Sequence, residues 1–350
     1  MNKLLNGLLL ASTVVIAPMS YAKVDTINGA GATFPYPVYA KWAEAYNKAE
    51  GVKLNYQSIG SGGGIKQIKA KTVDFGASDA PLTKEELDQA GLAQFPAVMG
   101  AIVAVINVKG IEAGQLKLSG QLLADIYSGK VKMWDDAAIA SLNEGVKLPH
   151  MPIYTVHRSD GSGTTFNFTD YLARVSPEWQ KNVGVGKEVA WPKEAQQLGG
   201  KGNEGVANFV SRTPGSIGYV EFAYAKSNNL TYTQMENKAG KFVKPEMAAF
   251  QAAAANADWT NAPGFHLILN DQPGAASWPM TAATFILVYK QQDDAAKGDA
   301  VLKFFDWSFA NGDQAAEALD YIPMPDSVVK MIEDMWRNDV KDTQGMAVYK

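Results

Sequence analysis

The sequence predicts an α/β fold divided into two domains, and three observations carry that reading. Strand-like apolar runs alternate with runs of helical spacing along most of the chain, the pattern of strands interleaved with helices. The 350 residues are 47% hydrophobic, more than one core usually organises at roughly 150 residues per domain. Three times, a strand-like run ends in a loop of Gly, Ser and Thr that opens directly onto a helix. Charged residues make up 19% and form no long run of one sign, which argues against disorder.

Taken in order, residues 1–22 read as a cleaved signal peptide. Lys3 gives a positive start, residues 4–17 are mostly apolar, and Ser20-Tyr21-Ala22 places small residues where a signal peptidase reads them. The alternative, a membrane anchor, needs about 20 apolar residues. The later runs at 101–108 and 285–289 are shorter still. The chain has no cysteine, so a lipid anchor, disulfides and thiolate metal sites are all excluded. A periplasmic, monomeric protein that is not membrane-embedded is expected.

Next, Val38, Trp42, Ala45 and Tyr46 recur at helical spacing. Val52, Leu54, Tyr56 and Ser58 alternate with polar residues as a period-two strand. Short strands follow at 73–77, 101–108, 153–156, 217–224, 266–269 and 284–289. Helices are expected at 83–90, 120–127, 164–175, 205–211, 244–255 and 300–310.

The formal net charge is −4, or −5 once Lys3 leaves with the signal, which disfavours nucleic acid as a partner. An anionic ligand would have to be held by local dipoles and one or two placed cations. The three strand–loop–helix junctions offer such dipoles. They are Gly29-Ala-Gly-Ala-Thr-Phe-Pro35, Ser58-Ile-Gly-Ser-Gly-Gly-Gly64 and Arg158-Ser-Asp-Gly-Ser-Gly-Thr164. The first N–H groups of a helix lack internal partners and carry partial positive charge. Glycine admits a close backbone approach. Each loop taken singly is also an ordinary N-cap; three together, one beside an arginine, favour ligand binding.

Other chemistries lack their signatures. The histidines His150, His157 and His266 have no metal-ligand spacing, and neither a P-loop nor a GxSxG elbow occurs. His157, Asp160 and Ser162 lie close in sequence. On a strand, however, neighbouring side chains face opposite sides, which favours His157 as a sheet or surface residue over a triad member. No catalytic residue, metal or cofactor is expected.

Gly29–Pro35, Val73-Asp-Phe-Gly-Ala-Ser-Asp-Ala-Pro81, Arg158–Thr164 and Lys303-Phe-Phe-Asp-Trp307 resemble the periplasmic phosphate-binding protein family of the Pst-type ABC transporters. The resemblance spans residues 23–350, with further similar stretches at Gly199-Gly-Lys-Gly-Asn203 and Leu319-Asp-Tyr321. It implies a type II periplasmic-binding-protein fold, with lobes at 23–107 plus 282–350 and at 108–281. Two crossovers would form the hinge, with ligand in the cleft. It implies inorganic phosphate as ligand, and inner-membrane permease and ATPase subunits as partners. Residue by residue, it implies contacts from Thr33, Phe34, Ser61, Arg158, Ser162, Gly163 and Thr164. Asp79 would accept the ligand's own proton, and Asp160 would orient Arg158. Two departures stand out. The family pattern has a basic residue at His157, and this chain is a few residues longer around Lys193 to Gln197.

Asp79 gives the expected selectivity a physical basis. An ionised carboxylate only accepts hydrogen bonds. Hydrogen phosphate can donate to it, whereas sulfate meets it with lone pairs, at a cost of about 1–3 kcal/mol or more. Two readings compete. A secreted phosphatase using Ser162 or Asp79 as nucleophile would need a general acid or metal that the sequence does not supply. A third keeps the fold and changes the ligand to sulfate or molybdate.

Overall fold

The computed structural model describes residues 24–349, so the signal-peptide expectation for residues 1–22 lies outside them. The main elements run β1 (Thr26–Gly31), α1 (Tyr36–Glu50), β2 (Lys53–Ser58), α2 (Ser61–Lys69), β3 (Phe75–Ser78), α3 (Lys84–Ala90) and β4 (Leu92–Ile106). There follow β5 (Tyr154–Arg158), α4 (Gly163–Val175), β6 (Gln196–Gly200), α5 (Gly202–Arg212), β7 (Ser216–Glu221) and α6 (Phe222–Ser227). The chain returns through β8 (Thr281–Tyr289), α7 (Ala295–Asn311) and α8 (Asp326–Asp339).

One mixed sheet links them in the order β2-β1-β3-β8-β4-β7-β5-β6, with Thr231–Tyr232 pairing beside β4. Strands β1, β2 and β3 are mutually parallel, as are β5, β6 and β7. The antiparallel strands β8 and β4 join the two groups. β4 is buried along its whole length and changes partner within it. Leu92 to Ala101 pair with β8, and Ile102 to Ile106 pair with β7. The result is two α/β units whose parallel strands end, at their carboxyl ends, in the loops of the site. In open α/β sheets, ligands bind outside the carboxyl ends of the strands.

Local chemistry explains the elements. In α1, Val38, Tyr39, Trp42 and Tyr46 form the buried stripe. Tyr39 and Tyr46 pack edge-to-face on Phe305 and Phe304 of α7. Gly64 sits where a Cβ would meet Gly31 Cα at 2.5 Å and Ala30 O at 2.6 Å. Only a glycine lets α2 lie that close to β1.

Several sequence expectations need correcting. β4 starts at Leu92, not 101, because Pro96 and Gly100 read as breakers. Pro96 is accommodated at a bulge, where pairing shifts between Thr284 and Phe285. The strand expected at 217–224 stops at Glu221, whose side chain accepts from the Ala223 N–H at 2.9 Å and caps α6. No strand forms at 266–269. Two 3-10 turns, Trp259–Asn261 and Pro263–Phe265, precede it, and Leu269 is buried without a ladder. The strand that leads into the Gly29 junction is β1, for which the sequence sets no bounds, and β6 and α8 have no counterpart in the sequence expectations. β1 and β6 are rich in glycine and polar residues, which depress strand propensity.

Candidate functional site

Each loop of the site begins where a parallel strand ends. Thr33 and Phe34 follow β1, Ser61 opens α2 after β2, and Asp79 follows β3. On the other unit, Arg158 is the last residue of β5, Ser162 caps α4, and α5 begins directly after β6. Thr33, Phe34, Ser61, Asp79, Arg158, Ser162 and Thr164 are all buried.

Hydrogen bonds tie these loops into one cluster. Ser61 Oγ accepts from the Asp79 N–H at 3.1 Å and from the Gly163 N–H at 3.0 Å. That single hydroxyl therefore fastens three loops and keeps its own hydrogen to donate. A Cβ at Gly163 would lie 2.5 Å from Ser61 Oγ and 2.7 Å from Asp79 N, so this close approach requires glycine. The second and third loops also meet through Gly62 N–H and Gly161 O at 2.9 Å.

At the head of α4, Ser162 Oγ accepts from the Thr165 N–H at 2.9 Å, and the Ser162 N–H donates to Lys187 O. With the Gly163 N–H given to Ser61, the Thr164 N–H is the first-turn donor without a partner among the described residues. Gly163 thus acts on the site through Ser61.

Arg158 is 4% exposed. Its Nε donates to Asp160 Oδ1 at 2.8 Å and its Nη2 to Asp160 Oδ2 at 2.6 Å. One edge of the guanidinium is thereby fixed, while the Nη1 side keeps donors beyond a long 3.5 Å contact to Thr164 Oγ1. Burial works against the Asp160 charge, but Arg158 and the Gly202 N–H at 3.0 Å together hold its carboxyl below the usual range.

Asp79 is in the opposite situation. Burial raises its carboxyl to about 7, despite the opposing pull of Thr284, Arg158 and Ser61. Its Oδ1 is buried and has no hydrogen-bond partner among the described residues. A buried carboxylate oxygen without a donor is costly, so this atom marks where a ligand hydrogen would go.

Sequence reasoning assigned no role to Asn203. It is fully buried and bridges the two units. Its backbone N–H and Nδ2 both donate to Thr33 Oγ1, at 3.1 and 2.7 Å, and Nδ2 also reaches Thr164 Oγ1 at 3.2 Å. An asparagine after glycine reads as a turn, and only the fold brings it to Thr33, 170 residues away. Asn167, similarly, holds Asp79 O at 2.7 Å and Gly163 O at 3.0 Å. His157 stacks on Trp191 at 4.6 Å, and its Nδ1 lies 2.9 Å from Arg158 O. Burial holds its pKa below the usual value, opposed by the Arg158 carbonyl and Gln197. Among the described residues no cluster suited to a metal ion occurs, and no helix is long and apolar enough to cross a membrane.

The cluster presents hydroxyls, a helix N-terminus and half a guanidinium, facing one carboxyl that wants a proton. Such a set suits a small tetrahedral oxyanion that carries a hydrogen. A family model described as "PBP superfamily domain" matches residues 18–311. The chain is 55% identical over 328 residues to the phosphate-binding protein PstS of Pasteurella multocida (strain Pm70), covering 94% of each. It is 55% identical over 315 residues to that of Xylella fastidiosa (strain 9a5c), covering 90% of this chain and 86% of the other. A solved phosphate-binding protein from Stenotrophomonas maltophilia shares the fold with a TM-score of 0.71 at 20% identity, over 93% of this chain and 98% of that one.

Proposed function

The chain belongs to the PBP superfamily and, within it, to the phosphate-binding proteins, and from that premise we propose that it captures inorganic phosphate and delivers it to an ABC-transporter permease. It does so as a periplasmic solute-binding protein, not an enzyme, and its partners are the membrane permease and ATPase subunits. The lobes are 23–107 plus 282–350 and 108–281. The change of partner at Ala101 and Ile102 in β4 supports a hinge there, a few residues before the boundary read from sequence.

The observation that carries this reading is the Oδ1 of buried Asp79, set among donors yet without a hydrogen-bond partner among the described residues. Phosphate oxygens take the Thr33, Ser61, Ser162 and Thr164 hydroxyls, the Phe34 and Thr164 N–H groups and the free edge of Arg158. Gly163 supports them through Ser61, and Asp160 orients Arg158. Asp79 receives the remaining hydrogen of hydrogen phosphate or dihydrogen phosphate. The first lobe supplies the proton acceptor and the second the cation, so ligand bridges the lobes and favours closure.

Isothermal titration in phosphate-free buffer tests the proposal. One phosphate should bind per chain, without turnover of phosphate esters, and sulfate should not displace it near neutral pH. Absence of heat with phosphate would refute it.

A further inference from the structure

The loop carrying Thr33 and Phe34 is gripped from the side away from the ligand donors. Tyr224 Oη donates to Thr33 O at 2.5 Å, and Tyr321 Oη lies 2.6 Å from Phe34 O. In a trans peptide the N–H points opposite the C=O. Holding Thr33 O therefore aims the Phe34 N–H away from Tyr224. The next peptide belongs to Pro35 and has no N–H, so its carbonyl, Phe34 O, is its hydrogen-bonding handle.

Counting hydrogens then singles out Glu221. Tyr321 Oη also lies 2.8 Å from Glu221 Oε2. A phenol has one hydrogen to donate. Phe34 O can only accept and has no other donor among the described residues, whereas Glu221 Oε2 already accepts from the Ala223 N–H, so Phe34 O takes that hydrogen over the shorter contact. The 2.8 Å contact is then a hydrogen bond only if the carboxyl supplies the proton. Glu221 is fully buried, and its Oε1 has no partner among the described residues, an arrangement suited to the neutral group rather than to a charge. The titratable groups facing it are Tyr321, Tyr224 and Asp320, the last paired with Lys226 at 2.5 Å. Burial foremost, and also the Asp320 charge, push the Glu221 carboxyl well above its usual range, opposed by the Ala223 N–H and by the hydroxyl hydrogen that Tyr321 would offer only to the ionised form.

We propose that Glu221 is a positioning residue held as the neutral acid: it donates to Tyr321, which donates to the Phe34 carbonyl, and this relay fixes the first binding loop. Glu221 ends β7 opposite Ile102, whereas Tyr321 and Phe34 pack edge-to-face with centroids 6.1 Å apart beside Gly100. The relay therefore crosses the sheet where β4 changes partner. It deepens the phosphate reading, on which it rests for the ligand affected.

The test uses Glu221→Gln, Glu221→Ala and Tyr321→Phe in the full chain, titrated with inorganic phosphate and unfolded in phosphate-free buffer from roughly pH 5 to pH 8. An acid whose folded pKa is raised contributes stability that is full below its unfolded pKa and is lost as pH rises toward the folded value. Gln keeps a neutral donor and escapes that loss. Glu221→Gln should therefore gain stability on the parent as pH rises, and hold phosphate affinity within about threefold. Glu221→Ala and Tyr321→Phe should weaken phosphate binding by about tenfold or more. A Glu221→Gln deficit that is the same at every pH, or an affinity loss equal to that of Glu221→Ala, would overturn the proposal. Should Tyr321→Phe not fold, the Glu221→Gln pH series decides alone. A parent that binds no phosphate would instead overturn the functional reading and leave the stability series standing.

Discussion

Asp79 and Arg158 face the same problem, burial of a charge, and solve it differently. Arg158 has a resident partner in Asp160 at 2.6 Å, and Asp79 has none at Oδ1 among the described residues. Removing an ion from water without a partner costs several kcal/mol, so Asp79 holds a proton up to about pH 7. Two outcomes follow. In phosphate-free buffer, Asp79→Asn should be more stable than the parent at about pH 8, because the parent has lost the neutral form there; the gap should close as pH falls through 7 toward the usual carboxylate range. Denaturant unfolding at a series of pH values measures this. Second, the parent should reject sulfate at about pH 8 and bind it weakly at about pH 5, where protonated Asp79 can donate. Asp79→Asn, whose amide donates at any pH, should bind sulfate independently of pH. Calorimetric titration with sulfate at both pH values decides it.

Strand–loop–helix junctions are the working unit of the site, and their precision depends on packing behind the loop. Helix α2 presents Ser61 because Gly64 lets it settle against Gly31 and Ala77. Substituting Gly64→Ala places a methyl group 2.5 Å from Gly31 Cα and 2.8 Å from Ala77 O, both backbone atoms that cannot swing aside. Stability should fall by about 1–3 kcal/mol, as for overpacked cores. Phosphate affinity should fall too, since Ser61 fastens the loops of Asp79 and Gly163. Equilibrium denaturation and titration of the one variant check both. The three junctions were legible from sequence because Gly, Ser and Thr at helix starts have a local physical cause. β6 was not, because its strand state comes from neighbours rather than propensity.

Across the molecule, several buried groups join the two units, and Asn203 crosses between them twice, both times to Thr33. It makes two hydrogen bonds to Thr33 and one to Thr164. Asn203→Ala removes three side-chain bonds, to Thr33 Oγ1, to Thr164 Oγ1 and from the Glu221 N–H, of which only the one to Thr33 crosses between the units. At about 1 kcal/mol for the crossing bond, phosphate affinity should fall by roughly fivefold. Most of it should appear as faster phosphate release, because closure holds the ligand after encounter. Stopped-flow measurement of release separates this from a slower capture. An unchanged release rate would remove Asn203 from the closing contacts.

Composition, patterning and the Gly/Ser/Thr junctions by themselves determined an α/β chain with three strand–loop–helix junctions, since each depends on neighbours within a few residues. The motifs Gly29–Pro35, Val73–Pro81 and Arg158–Thr164 added the resemblance that named a ligand for those loops. Only the tertiary structure decided which donors are free. It gave the Gly163 N–H to Ser61, half of Arg158 to Asp160, and left Asp79 Oδ1 alone. It also brought in Asn203, Tyr224, Glu221 and Tyr321, whose partners lie 100 residues or more away in sequence. The reason is that a hydrogen-bond partner and a buried environment belong to positions in space. Chain neighbours encode them only where the backbone itself brings the groups together.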